Sequence, residues 1–215
     1  MQAKSFATDT SNALPSISLP VKRDSLHGCW KLDRTRGSPS MRSYLKTMGV
    51  DELAIQAHEK GEIEHDTYHT ITLMEDDNIE KNSTEGGGKR LIRIVKRSRV
   101  NNDLIVELEL EKEHVEHLAP GKREKKSLAT SNAWGQHLLI ASSLLTVNGL
   151  ATVVDDKKLL KVCGEETVML QDLTITNVVA GISHKTVRYF IPYNLIPPHL
   201  ESNTNVDQDM PDSTK

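Results

Sequence analysis

Between residues 104 and 111 apolar and polar side chains alternate. Leu104, Val106, Leu108 and Leu110 stand against Ile105, Glu107, Glu109 and Glu111. A period of two gives a β-strand one buried face and one wet face. Weaker forms of the pattern cover 27–33, 62–74, 90–99, 122–132, 136–147, 150–154, 158–163, 167–179 and 184–192. About ten short strands with turn residues between them predict a β-sandwich or a barrel.

Helical spacing occurs in one region, early in the chain. Met41, Tyr44, Leu45 and Met48 fall on one face, with Ser38 placed to cap, Pro39 at the first helical position and Gly49 as the stop. Asp51 caps a second helix predicted to run to Lys60, with Gly61 ending it. Both helices are too short to be stable alone and must pack on something. One strand, a helix pair and then strands to the end predict an all-β fold. The expected form is an antiparallel closed β-barrel of about ten strands, with a helix-turn-helix lid between the first two. Closure removes the sheet edges, and the helix pair covers one open end. A sandwich leaves the helix pair without a role. A barrel of this size can hold a small ligand inside.

Residues 1–25 are rich in Ser, Thr, Ala and Pro without a sustained period, and 197–215 begin with Pro197-Pro198 and continue through Asn, Asp, Ser and Thr. Both read as flexible tails around a folded part at 26–196. Hydrophobic residues make up 37% of the 215, enough for a core but modest for the length, which fits chain lying outside it. The formal charge of −3, with basic residues spread along the chain, gives no footprint for nucleic acid. Two cysteines, Cys29 and Cys163, are not a disulfide framework and point to a reducing compartment. No apolar run is long enough to span a membrane, and no apolar segment follows Lys4 to make a secretory signal. Acidic residues are sparse before Asp24, as in a transit peptide, but arginine is sparse there too. The expected location is the cytoplasm.

Three segments carry a resemblance. Gly28-Cys29-Trp30-Lys31-Leu32 leads into Ser40-Met41-Arg42-Ser43-Tyr44-Leu45-Lys46-Thr47-Met48-Gly49-Val50. Asp103 to Ser127 runs from alternating Leu and Val through Glu113-His114-Val115-Glu116 to Gly121-Lys122-Arg123-Glu124-Lys125-Lys126-Ser127. Thr186-Val187-Arg188-Tyr189-Phe190 falls at the last strand. In this order they resemble the intracellular fatty-acid-binding proteins, cytosolic lipid-binding members of the calycin superfamily. The first matches the family's Gly-x-Trp strand and first helix. The second matches its fourth strand, the turn and the charged start of the fifth, and the third its Arg-x-Tyr. The regions 75–100 and 149–180 match poorly and are longer than in the family. The resemblance implies a ten-stranded barrel, an internal cavity with a helical portal, and transport of fatty acids, retinoids or similar apolar acids in the cytosol.

The resemblance also assigns residues. Arg188 takes the place of the arginine that holds the ligand carboxylate, a role suited to its planar fork of donors. Alternation puts Thr186, Arg188 and Phe190 on one face, so Phe190 stands where the family has its tyrosine and brings no hydroxyl. The other reading of Arg188 is packing over Trp30 at the barrel end. Tyr44 and Met41 match the pocket positions of the first helix, or else they serve as lid-to-barrel core. Trp30 reads as structural, its N–H needing a partner.

Nine histidines raise the question of metal. On one strand face, His65 and His69 lie about 13 Å apart, too far to share an ion. His114 and His117 lie near a turn without a completing cluster, so no metal and no cofactor are expected. If His65 and His69 face inward with Ile63, Thr67, Ile71 and Leu73, the cavity is unusually polar. Gly86-Gly87-Gly88-Lys89-Arg90 has neither the spacing of a phosphate loop nor a helix after it, and reads as a hairpin loop. No nucleophile elbow is present, and no enzyme is expected. The strand Lys89 to Arg99 carries a wet basic face suited to transient contact with anionic membranes. The sequence thus predicts a monomeric intracellular carrier of a fatty acid or other apolar acid, with Arg188, Phe190, Tyr44 and Met41 at the ligand. The rivals are an interaction scaffold with a filled barrel and, further off, a lipid-modifying enzyme.

Overall fold

A computed structural model describes residues 23–76, 89–97, 103–118, 123–132, 135–162 and 166–194. The order of elements is β1 (Gly28–Ser38), α1 (Arg42–Thr47), α2 (Glu52–Glu64), β2 (Tyr68–Asp76), β3 (Lys89–Arg97), β4 (Leu104–Glu109), β5 (Glu113–Leu118), β6 (Arg123–Ser131), β7 (His137–Thr146), β8 (Gly149–Lys161), β9 (Thr167–Asn177) and β10 (Ile182–Tyr193). Every strand pairs antiparallel with its chain neighbour except β4 with β5, and β1 closes on β10. The ten strands therefore wrap into a nearly closed barrel with one unpaired seam between β4 and β5. The chain crosses the seam at Glu111, whose φ of 63° is left-handed and whose N–H donates to the Ala129 carbonyl at 2.7 Å. The Gly86–Gly88 loop, Cys163, and the tails at 1–22 and 195–215 lie outside the described residues.

Several predicted boundaries move. The two strands expected at 150–154 and 158–163 are, as far as Lys161, a single strand, β8, because Asp155 to Lys158 continues the alternation with charged side chains. Residues 113–118, read as a turn, are a strand whose side chains are exposed or half-buried. Ser38 ends β1 rather than capping a helix, and its Oγ accepts from the Val187 N–H at 3.3 Å. The first helix begins at Arg42, with Met41 as the residue before it. Asp51 caps α2 as predicted, accepting from the Ala54 N–H at 3.0 Å. That helix passes through Gly61 to Glu64, with Gly61 buried at the cavity wall rather than ending the helix. Residues 62–64 are accordingly helix rather than strand. His65 caps α2 and does not share a strand face with His69.

Two apolar clusters fill the ends of the barrel. The floor centres on Trp30, Phe190, Met169, Ile71 and Leu138, all buried. Trp30 donates through Nε1 to the Leu26 carbonyl at 2.8 Å. The Arg23 guanidinium lies 5.5 Å over the Trp30 ring and also donates to the Tyr193 carbonyl at 3.2 Å. The cation on Trp30 is thus Arg23, and residues 23–25 pack with the barrel. At the other end Met41, Tyr44, Leu45 and Met48 of the lid pack on Leu144, Val153 and Leu173. The polar site lies between these two clusters.

Candidate ligand-binding site

Pleating fixes which residues of the last three strands point inward. Lys157 on β8 sits beside Gln171 on β9, and Gln171 beside Arg188 on β10. All three are buried and form a polar row across the barrel wall. The next inward row is apolar, with Leu159 beside Met169 and Met169 beside Phe190. On the lid side of the polar row stand Asp155, Leu173 and Thr186. A cavity of about 440 Å³ opens over this row. It is lined by apolar side chains such as Met41, Met48, Ile94, Leu144 and Val153, and by Tyr44, Thr67 and His69. On its open side, Val106 of β4 and Leu118 of β5 flank the unpaired seam.

The doublets Asp155-Asp156 and Lys157-Lys158 give each face of β8 one acid and one base. Outside, Asp156 takes Lys158 at 2.7 Å and His137 at 2.7 Å. Inside, Asp155 Oδ2 lies 2.5 Å from Lys157 Nζ and 3.6 Å from Lys96 Nζ. Its Oδ1 accepts from Gln171 Nε2 at 2.8 Å. Burial works against the Asp155 charge, but Lys157 and Lys96 outweigh it and hold the carboxyl well below the usual carboxylate range. Burial pushes Lys157 down to about 8 in spite of Asp155. His69 is also driven well down, by burial first and then by Lys96, Lys157 and Arg188, so it is neutral at physiological pH. The Tyr44 phenol is pushed up to about 12 by burial and by the charge of Asp155.

Arg188 is 5% exposed, and its guanidinium donates to Glu62 of α2. The lid therefore supplies a carboxylate to the arginine that the sequence singled out. Arg188 also lies 5.7 Å from the centre of the Phe190 ring, which stacks on His69 at 4.5 Å between centroids. Among the buried polar atoms around the cavity, Thr67 Oγ1, His69 Nδ1, Gln171 Oε1 and Arg188 Nε have no hydrogen-bond partner in the protein.

Of the residues marked from sequence, Arg188, Tyr44 and Met41 line the cavity together. Phe190 does not line it. It lies beneath His69 in the floor cluster, fully buried. Sequence reasoning missed Glu62, Lys96, Asp155, Lys157 and Gln171. The signal for β8 was the paired charge doublet, which at period two splits evenly between the faces. Lys96 belongs to the strand read as having a wet basic face, yet it follows Ile92 and Ile94 inward. His114 and His117 are exposed on β5, and no group of three or more metal-ligating side chains occurs among the described residues.

No known protein family matches the chain, and no curated protein matches its sequence. Among solved structures, the chain is similar to an abundant heat soluble (SAHS) protein from Ramazzottius varieornatus. The identity is 14% over 81% of this chain and 100% of that one, with a TM-score of 0.48. It is also similar to the wild-type fluorescent protein UnaG, at 18% identity over 78% of this chain and 97% of that one, with a TM-score of 0.45.

Proposed function

We propose that this protein is a carrier that holds one apolar molecule bearing a single acid group, in its simplest form a fatty acid, inside the barrel and leaves it chemically unchanged. The observation that carries the reading is the charge balance beneath the cavity. Arg188, Lys157 and Lys96 are three cations facing two carboxylates, Asp155 and Glu62, an excess of one positive charge in a mostly buried site. Lys96, partly open to water, carries that excess, and a monoanion bound in the cavity pairs with it. The 440 Å³ volume falls within the roughly 300–1,000 Å³ of small-molecule sites, and the wall toward the lid is apolar. Burial of ligand surface at roughly 25 cal/mol per Å² drives binding, less the cost of ordering ligand and lid.

An open cavity of this size weighs against the scaffold reading, which needs the barrel filled. The carrier reading places the protein in the cytosol as a monomer, with Cys29 reduced, and it assigns no cofactor. The test is native mass spectrometry of the purified full chain, followed by organic extraction and lipid analysis, and then uptake of added oleate. A single class of apolar acid released on extraction, or stoichiometric uptake of oleate, supports the reading. A protein that stays empty with added fatty acid and with retinoid overturns it. Conversion of the added lipid to a product favours the enzyme instead.

A further inference from the structure

The three cations of the floor are not equally available. Arg188 is held by Glu62, and only 6% of its side chain is exposed. Lys157 is fully buried against Asp155 at 2.5 Å. Lys96 has only a share in that same carboxylate, at 3.6 Å from Asp155 Oδ2. Both Asp155 oxygens are already engaged at shorter range, one by Lys157 and the other by Gln171 at 2.8 Å. Lys96 also keeps 31% of its side chain exposed while lining the cavity. Arg188 also lines the cavity but is tied to Glu62 and almost wholly buried, so Lys96 is the floor cation with the most open side chain. Its cross-strand neighbour is His69, 2% exposed, which also lines the cavity and whose Nδ1 has no protein partner.

Resting on the carrier reading, we propose that the ligand's acid group is anchored by Lys96 on β3, with His69 beside it as second donor, and that Arg188 keeps Glu62 when the ligand is bound. The chemistry follows from the partners. An ammonium with three donors takes one carboxylate oxygen at any approach angle, and an imidazole N–H takes the other. The ligand is then an apolar monocarboxylate whose head lies under β2 and β3 and whose chain runs along the apolar wall toward α1. The lid stays tied to β10, because binding does not draw on the Glu62–Arg188 pair. Arg188 becomes a positioning residue for the lid rather than a ligand contact.

The experiment compares displacement of a fluorescent fatty-acid probe by oleate and by oleyl alcohol. It uses the full-length wild type, Lys96→Met, Lys96→Arg, and the double variant Glu62→Leu/Arg188→Met, which removes the lid pair without leaving a lone charge. Losing one charge-assisted contact predicts oleate affinity about ten- to hundred-fold weaker in Lys96→Met. Oleyl alcohol binding stays unchanged in the same sample, which also reports that the barrel is folded. Lys96→Arg retains most of the oleate preference, and the double variant binds oleate within a few-fold of wild type. The assignment is overturned if Lys96→Met binds oleate like wild type while the double variant loses it. It also falls if wild type shows no preference for oleate over the alcohol, an outcome that leaves the carrier reading standing. A wild type that binds neither overturns both.

Discussion

Replacing Asp155 by asparagine keeps the shape of the side chain and the acceptor for Gln171 Nε2 but removes the charge. Lys157, with none of its side chain exposed, then loses the carboxylate 2.5 Å from its ammonium. Removing one partner of a buried pair costs about 3–5 kcal/mol, a large part of the roughly 5–15 kcal/mol that holds a domain folded. The pH response identifies the cause. In the wild type the native Lys157 gives up its proton at about 8, whereas the unfolded chain keeps it to 10.5. Between those values the unfolded chain binds more protons, so stability rises with pH. Below them the cost of the buried ammonium, about 3 kcal/mol for that span, is present in full. Asp155→Asn removes the attraction that keeps the proton on, so the native group titrates lower and the rise in stability begins at lower pH. Urea unfolding at neutral pH and at about pH 9.5 reads both effects. The variant should be several kcal/mol less stable at neutral pH, with the deficit shrinking toward alkaline pH and Lys157→Met restoring part of it. A variant as stable as wild type at neutral pH, or a deficit that does not change with pH, refutes the reasoning.

Glu62→Gln leaves Arg188 without its carboxylate and should cost about 2 kcal/mol, because Glu62 keeps some contact with water. Hydrogen exchange should quicken in α2, whose buried residues are only Ile55 and Gly61. Trp30→Ala empties the floor and should cost about 3–5 kcal/mol in urea unfolding. Trp30→Phe should cost about 1–3 kcal/mol, since the buried Leu26 carbonyl loses its donor. Gly49 sits at φ +79° with an added Cβ only 2.1 Å from Val147 Cγ2, so Gly49→Ala should lower the thermal midpoint by the equivalent of about 1–3 kcal/mol.

The barrel was legible because inward–outward alternations survive in the fold, from Val106 and Leu108 on β4 to Thr186, Arg188 and Phe190 on β10, although Leu104 at the start of β4 is exposed. The strand count came out at ten by compensation, with β8 divided in two and β5 omitted. β5 lies at the seam with its outer face and much of its inner face wet, so Glu113 to Leu118 has no apolar set for a periodic reading to find. β8 was divided because a search for buried apolar positions is blind to a strand that buries an acid and a base. Gly61 and Ser38 misled for a related reason. Each carries a local helix-end signal, but Gly61 is buried at the cavity wall and Ser38 is bonded to β10. The resemblance located Arg188, Tyr44 and Met41 on the cavity. It could not foresee Glu62, since nothing in the spacing of α2 says that one of its carboxylates reaches across to β10.

The ladder of hydrogen bonds fixes the girth of the barrel along nine strand pairs and leaves it free along one line, between β4 and β5. At the lid end of that line, away from the Leu110–Ala129 bridge, widening the barrel separates side chains but breaks no backbone pairing among the described residues. The volume over the charged floor is therefore elastic in one direction and stiff in every other. A bulky or bent chain can be taken up by spreading Val106 from Leu118 without breaking the β2–β3 pairing that sets His69 beside Lys96. In the proposed carrier, head-group recognition and chain accommodation thus fall on different parts of the same wall, so selectivity for the acid can be strict while tolerance for the tail is broad.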